Sequence, residues 1–153
     1  RAHGGVFATS VIPGQHSGND PITPWRHQAF EHLLAGFAAS TTQSPAERWR
    51  WLEAAHVLGQ PVLNLHWRSH VAMLQMARQQ GDAREALGQT LRLALVPLGH
   101  ALQRLPAGNT GRARINPWRP MPPGAPLAAL IDAALAATQP PSVCGPETVH
   151  PGP

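Results

Sequence analysis

Between positions 23 and 101 the chain is cut into four apolar-periodic runs by breaks of only a few residues, which points to short-looped, antiparallel helices. Thr23 is a good N-cap with Pro24 at the first helical position, and the stripe Phe30, Leu33, Leu34 and Phe37 predicts a first helix over 24–39, ending at the polar run Ser40-Thr41-Thr42-Gln43. Ser44-Pro45-Ala46-Glu47 reads as a capping box, and Trp49, Leu52 and His56 carry a second helix over about 45–58 until Gly59 stops it. Pro61 restarts the chain, and Leu63, Trp67, Val71, Met73 and Leu74 predict a third helix reaching Gly81. Asp82 and Glu85 repeat the capping-box pattern before a fourth helix whose stripe is Leu87, Leu91, Leu95 and Leu98, with Pro97 expected to kink or split it.

The segment from Leu105 to Gly124 holds too many Gly and Pro for a helix, and Gly108-Asn109-Thr110-Gly111 reads as a tight turn. Ile115, Trp118 and Met121 are spaced as apolar anchors, so this long loop is expected to fold over the helix ends. A short last helix is predicted over 126–137. The expected organisation is an extended or disordered arm at 1–22, one helical domain at 23–138 and a Pro-rich tail at 139–153. At 153 residues one core is expected, and 42% hydrophobic against 13% charged residues argues against overall disorder. The expected fold is therefore all-α, a small antiparallel bundle of about four to five helices with a long Gly/Pro loop before the last.

The formal charge of +4 rests on arginine alone, because no lysine occurs. The arginines are scattered, apart from Arg112, Arg114 and Arg119 in the late loop, so no basic stripe of the nucleic-acid-binding kind is evident. Cys144 is the single cysteine, which excludes an intramolecular disulfide and thiolate-rich zinc sites and makes a reducing cytoplasm the default expectation. No run approaches the length of a membrane span, and the first residues lack a signal peptide's apolar core. The chain begins at Arg1 rather than Met, as a fragment or an overlong reading frame would. Phosphate loops, zinc-protease motifs and serine or cysteine nucleophile arrangements are absent.

The chemistry lies in histidine and glutamate. Glu53 and His56 are three residues apart on the second helix, and His66 and His70 are four apart on the third, so each pair shares a helical face with metal-chelating spacing. In an antiparallel hairpin centred near Pro61, His56 should face His66 while Glu53 faces His70. The same reckoning about Thr42 puts Glu31 level with Glu53 and His27 level with His56, so that six ligand-type groups are expected in one layer. Each alone would be an ordinary core or boundary polar residue, but burying several together is costly without a cation to offset them. His and Glu without Cys suit a divalent transition metal, zinc or iron before nickel, copper or manganese. Glu-x-x-His resembles an element of the ferritin-like di-iron proteins, but those carry it on two helices and here it occurs once. His100, on the fourth helix, is placed near the Gly59–Pro61 turn, outside the expected ligand set, and His3, His16, His32 and His150 are expected in solvent. Trp49, Trp51 and Trp67 read as core and hairpin packing.

The stretches LEAAHVLGQ, HWRSHVAML, GDAREALGQTLRLALVPLG and LPAGNTGRARINPWRPMP resemble the uncharacterised bacterial family known as domain of unknown function 3703, over about residues 25–135. Its most specific marks here are HVLGQ at His56–Gln60 and GNTG at Gly108–Gly111. The resemblance implies a bacterial cytoplasmic setting and no assigned reaction, and it carries Glu53, His56, His66 and His70 over as motif positions; His27 and Glu31 lie in its least distinctive part. The sequence thus points to a small metal-binding protein whose partner is the ion itself, with Glu53, His56, His66 and His70 as ligands and Glu31 or His27 completing the site. The alternative is a metal-free helical-hairpin module that docks a protein partner.

Overall fold

The computed structural model describes residues 24–138 as five helices joined by turns and loops, with no strand among them. In chain order these are α1 (Pro24–Ala39), α2 (Pro45–Gly59), α3 (Leu63–Gln79), α4 (Ala83–Ala101) and α5 (Ala125–Thr138). Thr23, the expected cap of α1, lies outside the described residues, as do the arm and the tail. At α2 the capping box is complete: the Ser44 hydroxyl accepts from the Glu47 amide at 3.3 Å, and the Glu47 carboxylate accepts from the Ser44 amide at 2.9 Å. Asp82 caps α4 by accepting from the Glu85 amide at 2.9 Å, but the reciprocal half expected of Glu85 does not form there. Its carboxylate turns inward and accepts from the Gln89 side chain at 2.8 Å and the Ala113 amide at 3.0 Å.

Connections of three to five residues reverse the chain between successive helices, so α1 to α4 pack in sequence order, and α5 returns to lie on α1 and α2. One apolar cluster joins all of these but α4, through Phe30 and Leu33 of α1, Leu58 of α2, Leu65 of α3 and Leu127 of α5. A second, of Trp49, Leu52, Met73, Met76 and Ala77, joins α2 to α3. Burying each large side chain stabilises by roughly 1.5–3 kcal/mol relative to leaving it in water. Trp49 joins the core, Trp51 is half-buried and Trp67 is exposed, so the packing role expected of Trp67 is not filled.

α4 reverses the expectation drawn from its leucines. It packs on α3, yet Leu87, Leu91, Leu95, Leu98 and Leu102 face outward, and its buried stripe is Glu85, Gln89, Arg92, Val96 and Gly99. Both sets recur at helical spacing, so periodicity alone cannot say which one faces the protein. α4 also runs through Pro97 without a break; this residue sits on the exposed side, where the backbone carbonyl it frees can meet water.

The loop between α4 and α5 does fold onto the helices, but through polar pins. Arg92 Nη2 donates to the carbonyls of Arg112, at 2.7 Å, and Ile115, and Gln89 Nε2 donates to the Gly111 carbonyl at 2.9 Å. Asn109 is the loop's hub, its Nδ2 donating to the carbonyls of Asn116 (2.8 Å) and Arg119 (3.0 Å) and its Oδ1 accepting from the Gly111 amide (3.0 Å). Trp118, expected as an apolar anchor, is half-exposed.

The orientation of α4 is testable by paired truncations. Leu33→Ala, at a site with no exposure, should lower unfolding free energy by about 2–5 kcal/mol in urea titration, whereas Leu91→Ala, at a site 58% exposed, should change it by less than about 0.5 kcal/mol. Comparable losses at both would place the leucine face of α4 inside the protein.

Candidate metal centre

α2 delivers His56 near its C-terminal end, and α3 delivers His66 and His70 from one face, across the turn at Gln60–Val62. All three are buried, at 2%, 6% and 2% exposure. Each offers a ring nitrogen, and the three nitrogens lie within 4.8 Å of one another. The Nε2 atoms of His56 and His70 are 3.2 Å apart, as are those of His70 and His66.

The opposite ring nitrogens decide what those contacts are. His56 Nδ1 lies 2.8 Å from the backbone carbonyl of Asn109, which can only accept, so Nδ1 carries the proton. His70 Nδ1 lies 2.7 Å from Gln89 Oε1. The orientation of that amide is set by its own partners, since Nε2 donates to Glu85 and to the Gly111 carbonyl, leaving Oε1 to accept from His70. His56 and His70 therefore turn bare Nε2 lone pairs toward each other with no proton to share. His66 Nδ1 is 3.1 Å from His100 Nε2, a contact in which either ring can donate; the tautomer with His100 accepting is the one that leaves the third Nε2 bare as well. A metal-bound imidazole is commonly held in this way, with its second nitrogen donating to an outer acceptor.

A proton is a poor occupant of the gap. Burial pushes the pKa of His66 down to about 3, with His70, His100 and Arg92 adding to the effect. Burial likewise lowers His70 to about 4 against the opposing pull of its bond to Gln89, and holds His56 well below the ordinary imidazole range. A divalent ion fits better: metal–nitrogen distances of about 2.0–2.1 Å in a tetrahedral zinc site place ligand nitrogens about 3.3 Å apart, close to the 3.2 Å of two of the three pairs, His56 with His70 and His70 with His66, while the third pair lies within 4.8 Å. The three rings also line a cavity of about 40 Å³ whose other walls include Gln60, Arg92, Asn109 and Trp118. An ion held by the three imidazoles would have this cavity on its fourth side.

The other residues expected in this layer lie elsewhere. Glu53 points at the loop, with Arg112 Nη1 3.9 Å from its carboxylate, and burial raises its pKa despite that cation. Arg112 stacks on the Trp49 ring at 3.6 Å and lies 3.4 Å from Glu85, so Glu53 is turned to this guanidinium and not to the histidines. Glu31 is half-exposed and held by the guanidinium of Arg68, which also lowers its pKa. His27 is half-buried on α1, a helix that packs on α2 and α5 away from the triad, and His32 is exposed as expected. Height along a hairpin was right for the histidines, but it does not specify the face on which a neighbouring helix packs. His3, His16 and His150 lie outside the described residues.

Over residues 25–131 the sequence matches a family described as protein of unknown function, DUF3703. The chain belongs to this family. No curated protein and no solved structure matches it. The two stretches that marked this DUF3703 member in its sequence meet at the triad: HVLGQ supplies His56 and the buried Gln60, and GNTG supplies the Asn109 carbonyl. Gly111 has φ +79°, and a Cβ there would stand 2.7 Å from Cδ2 of His56, so only glycine lets the loop close over the ring. Gly108, at φ +74°, is likewise blocked by the Met121 carbonyl.

Sequence reasoning missed the partners: Gln89 and Glu85 behind His70, His100 behind His66, and Arg92. The available signal was the polar set Glu85, Gln89 and Arg92 at helical spacing among the leucines of α4.

Gly111→Ala should lower stability by about 1–3 kcal/mol in urea titration, through backbone strain and the clash with His56. A loss of only a few tenths would mean that the loop does not close on that ring. A pH dependence follows as well. Below the ordinary imidazole pKa of 6.5 the unfolded chain takes up protons that folded His66 and His70 refuse, so metal-free protein should lose stability as pH falls from about 6.5 toward 4, with this contribution fully present above 6.5. Urea titrations with chelator at pH 7.5 and 5.5 check this, and equal stability at both would show that the triad is protonated in the fold.

Proposed function

We propose that this is a small helical metal-binding protein whose ion is held by Nε2 of His56, His66 and His70. The observation that carries the reading is the buried contact between the Nε2 atoms of His56 and His70, whose Nδ1 protons are already committed to Asn109 and Gln89. Two lone pairs facing each other at 3.2 Å repel unless a cation lies between them. Neutral imidazoles suit zinc and iron(II) among the divalent metals, and zinc also suits the tetrahedral spacing. Glu53, Glu31 and His27 are not needed as ligands in this reading. Glu85 acts at a distance, holding the Gln89 amide that orients His70.

An open fourth position gives such an ion Lewis-acid character toward whatever enters the cavity. The residues tied to the Nδ1 atoms hold the imidazoles in register, so metal binding need not reorganise them.

Protein purified without a metal-affinity tag should contain about one equivalent of transition metal by elemental analysis. Zinc at about a hundred times its dissociation constant should stabilise the folded state by roughly 2.7 kcal/mol, a rise in melting temperature of roughly ten degrees that chelator reverses. His70→Ala should abolish the response while His32→Ala preserves it. No metal on isolation together with no melting shift on adding zinc, iron(II) or cobalt would sink the proposal and leave the metal-free module standing.

A further inference from the structure

We infer that the fourth side of the triad is a binding site for a small oxyanion of the carboxylate or bicarbonate type, with the Arg92 guanidinium as its second anchor. The inference rests on the metal reading above and adds the chemical class of the ligand. Its first support is charge. All three ligands are neutral, and the charged side chains that line the cavity, Arg92 and Arg104, are both guanidiniums. A dication at the triad therefore keeps its full charge until an anion reaches it. Glu85 and Glu53 do not fill that role. Both are turned to Arg112, at 3.4 and 3.9 Å, and the Glu85 carboxylate also accepts from Gln89 and Ala113.

The second support is Arg92. It is 9% exposed and lines the same cavity as the three histidines. Its Nη2 is used on the carbonyls of Arg112 and Ile115, which fixes the plane of the guanidinium, while Nε and Nη1 make no hydrogen bond among the described residues. A fixed guanidinium with unspent N–H groups beside a cation site suits a planar anion that offers one oxygen to each. A point-charge ligand such as chloride would use only one of the two.

The third support is size. In the measure by which one water needs about 10–15 Å³, the cavity of about 40 Å³ has room for about three water-sized groups, close to the bulk of formate, acetate or bicarbonate. Leu95, Val96, Leu105 and Pro106 make much of its wall apolar, which strengthens any charge pairing inside and tolerates a methyl group on the anion.

Cobalt(II) makes both readings visible, because its d–d bands report the coordination sphere. Protein loaded with cobalt should show the bands of a low-coordinate nitrogen-rich site, and titration with acetate or bicarbonate should shift them saturably in the millimolar range, whereas the neutral isostere acetamide should not. Arg92→Met should weaken acetate by about tenfold or more while cobalt affinity is kept or tightened, and Arg92→Lys, which keeps the charge and loses the fork, should fall between. Bands that ignore both anions would overturn the anion site, and an Arg92→Met protein that binds acetate as the parent does would overturn Arg92 as its anchor; either result leaves the metal site intact. Failure to develop cobalt bands at all would overturn both. If Arg92→Met unfolds because the loop loses its pin, the parent protein's response to acetate against acetamide still decides the matter.

Discussion

Two imidazole Nδ1–H groups, one held by the Asn109 carbonyl and the other by the Gln89 side chain, set the tautomers at the middle of this protein, and much else is arranged to keep those acceptors in place. Gln89 can accept from His70 only because Glu85 and the Gly111 carbonyl take both protons of its amide. Asn109 can present its carbonyl only because its side chain ties together a loop that closes at two glycines with positive φ. The polar lining of α4, the compactness of the late loop and the placement of the triad are thus one hydrogen-bonded unit. Such a unit is rigid when every member is satisfied and expensive when one is removed.

That unit explains the unusual assignment of faces on α4. An ordinary amphipathic helix buries its leucines, but here the inner face carries Glu85, Gln89 and Arg92, whose hydrogen bonds reach α3 and the loop, and the leucines are left outside. Burying the leucines instead would expose some apolar surface less, but it would strand the Nδ1 proton of His70 without its acceptor and release the loop that seals His56. The apolar core proper lies on the other side of the molecule, where α1, α2 and α5 meet. Stability and chemistry are therefore divided between two halves that share α2 and α3.

Each helix was legible in the sequence because its signals are local. Ser44 with Glu47, Asp82, the prolines near the helix starts and the three short breaks act within a few residues of themselves, and the boundaries of α1 and α2 follow them closely. His56, His66 and His70 were legible as a group for a related reason: helical spacing and one tight turn fix their relative height. Glu53, Glu31 and His27 pass the same test of height, yet lie apart from the triad, because lateral position depends on where α1 packs and on the loop that brings Arg112 between α2 and α4.

The sequence by itself determined the all-helical class, the order and reversal of the helices and the nearness of three histidines, since capping, periodicity and short connections are properties of neighbouring residues. Only the tertiary structure decided which stripe of α4 turns inward, that His100, Gln89 and Asn109 stand behind the imidazoles, and that Arg92 shares their cavity. Those outcomes depend on contacts between residues that are 19 to 53 positions apart, such as His70 with Gln89 and His56 with Asn109, and no local rule acts over that distance. They are settled when buried donors and acceptors must all find partners at once.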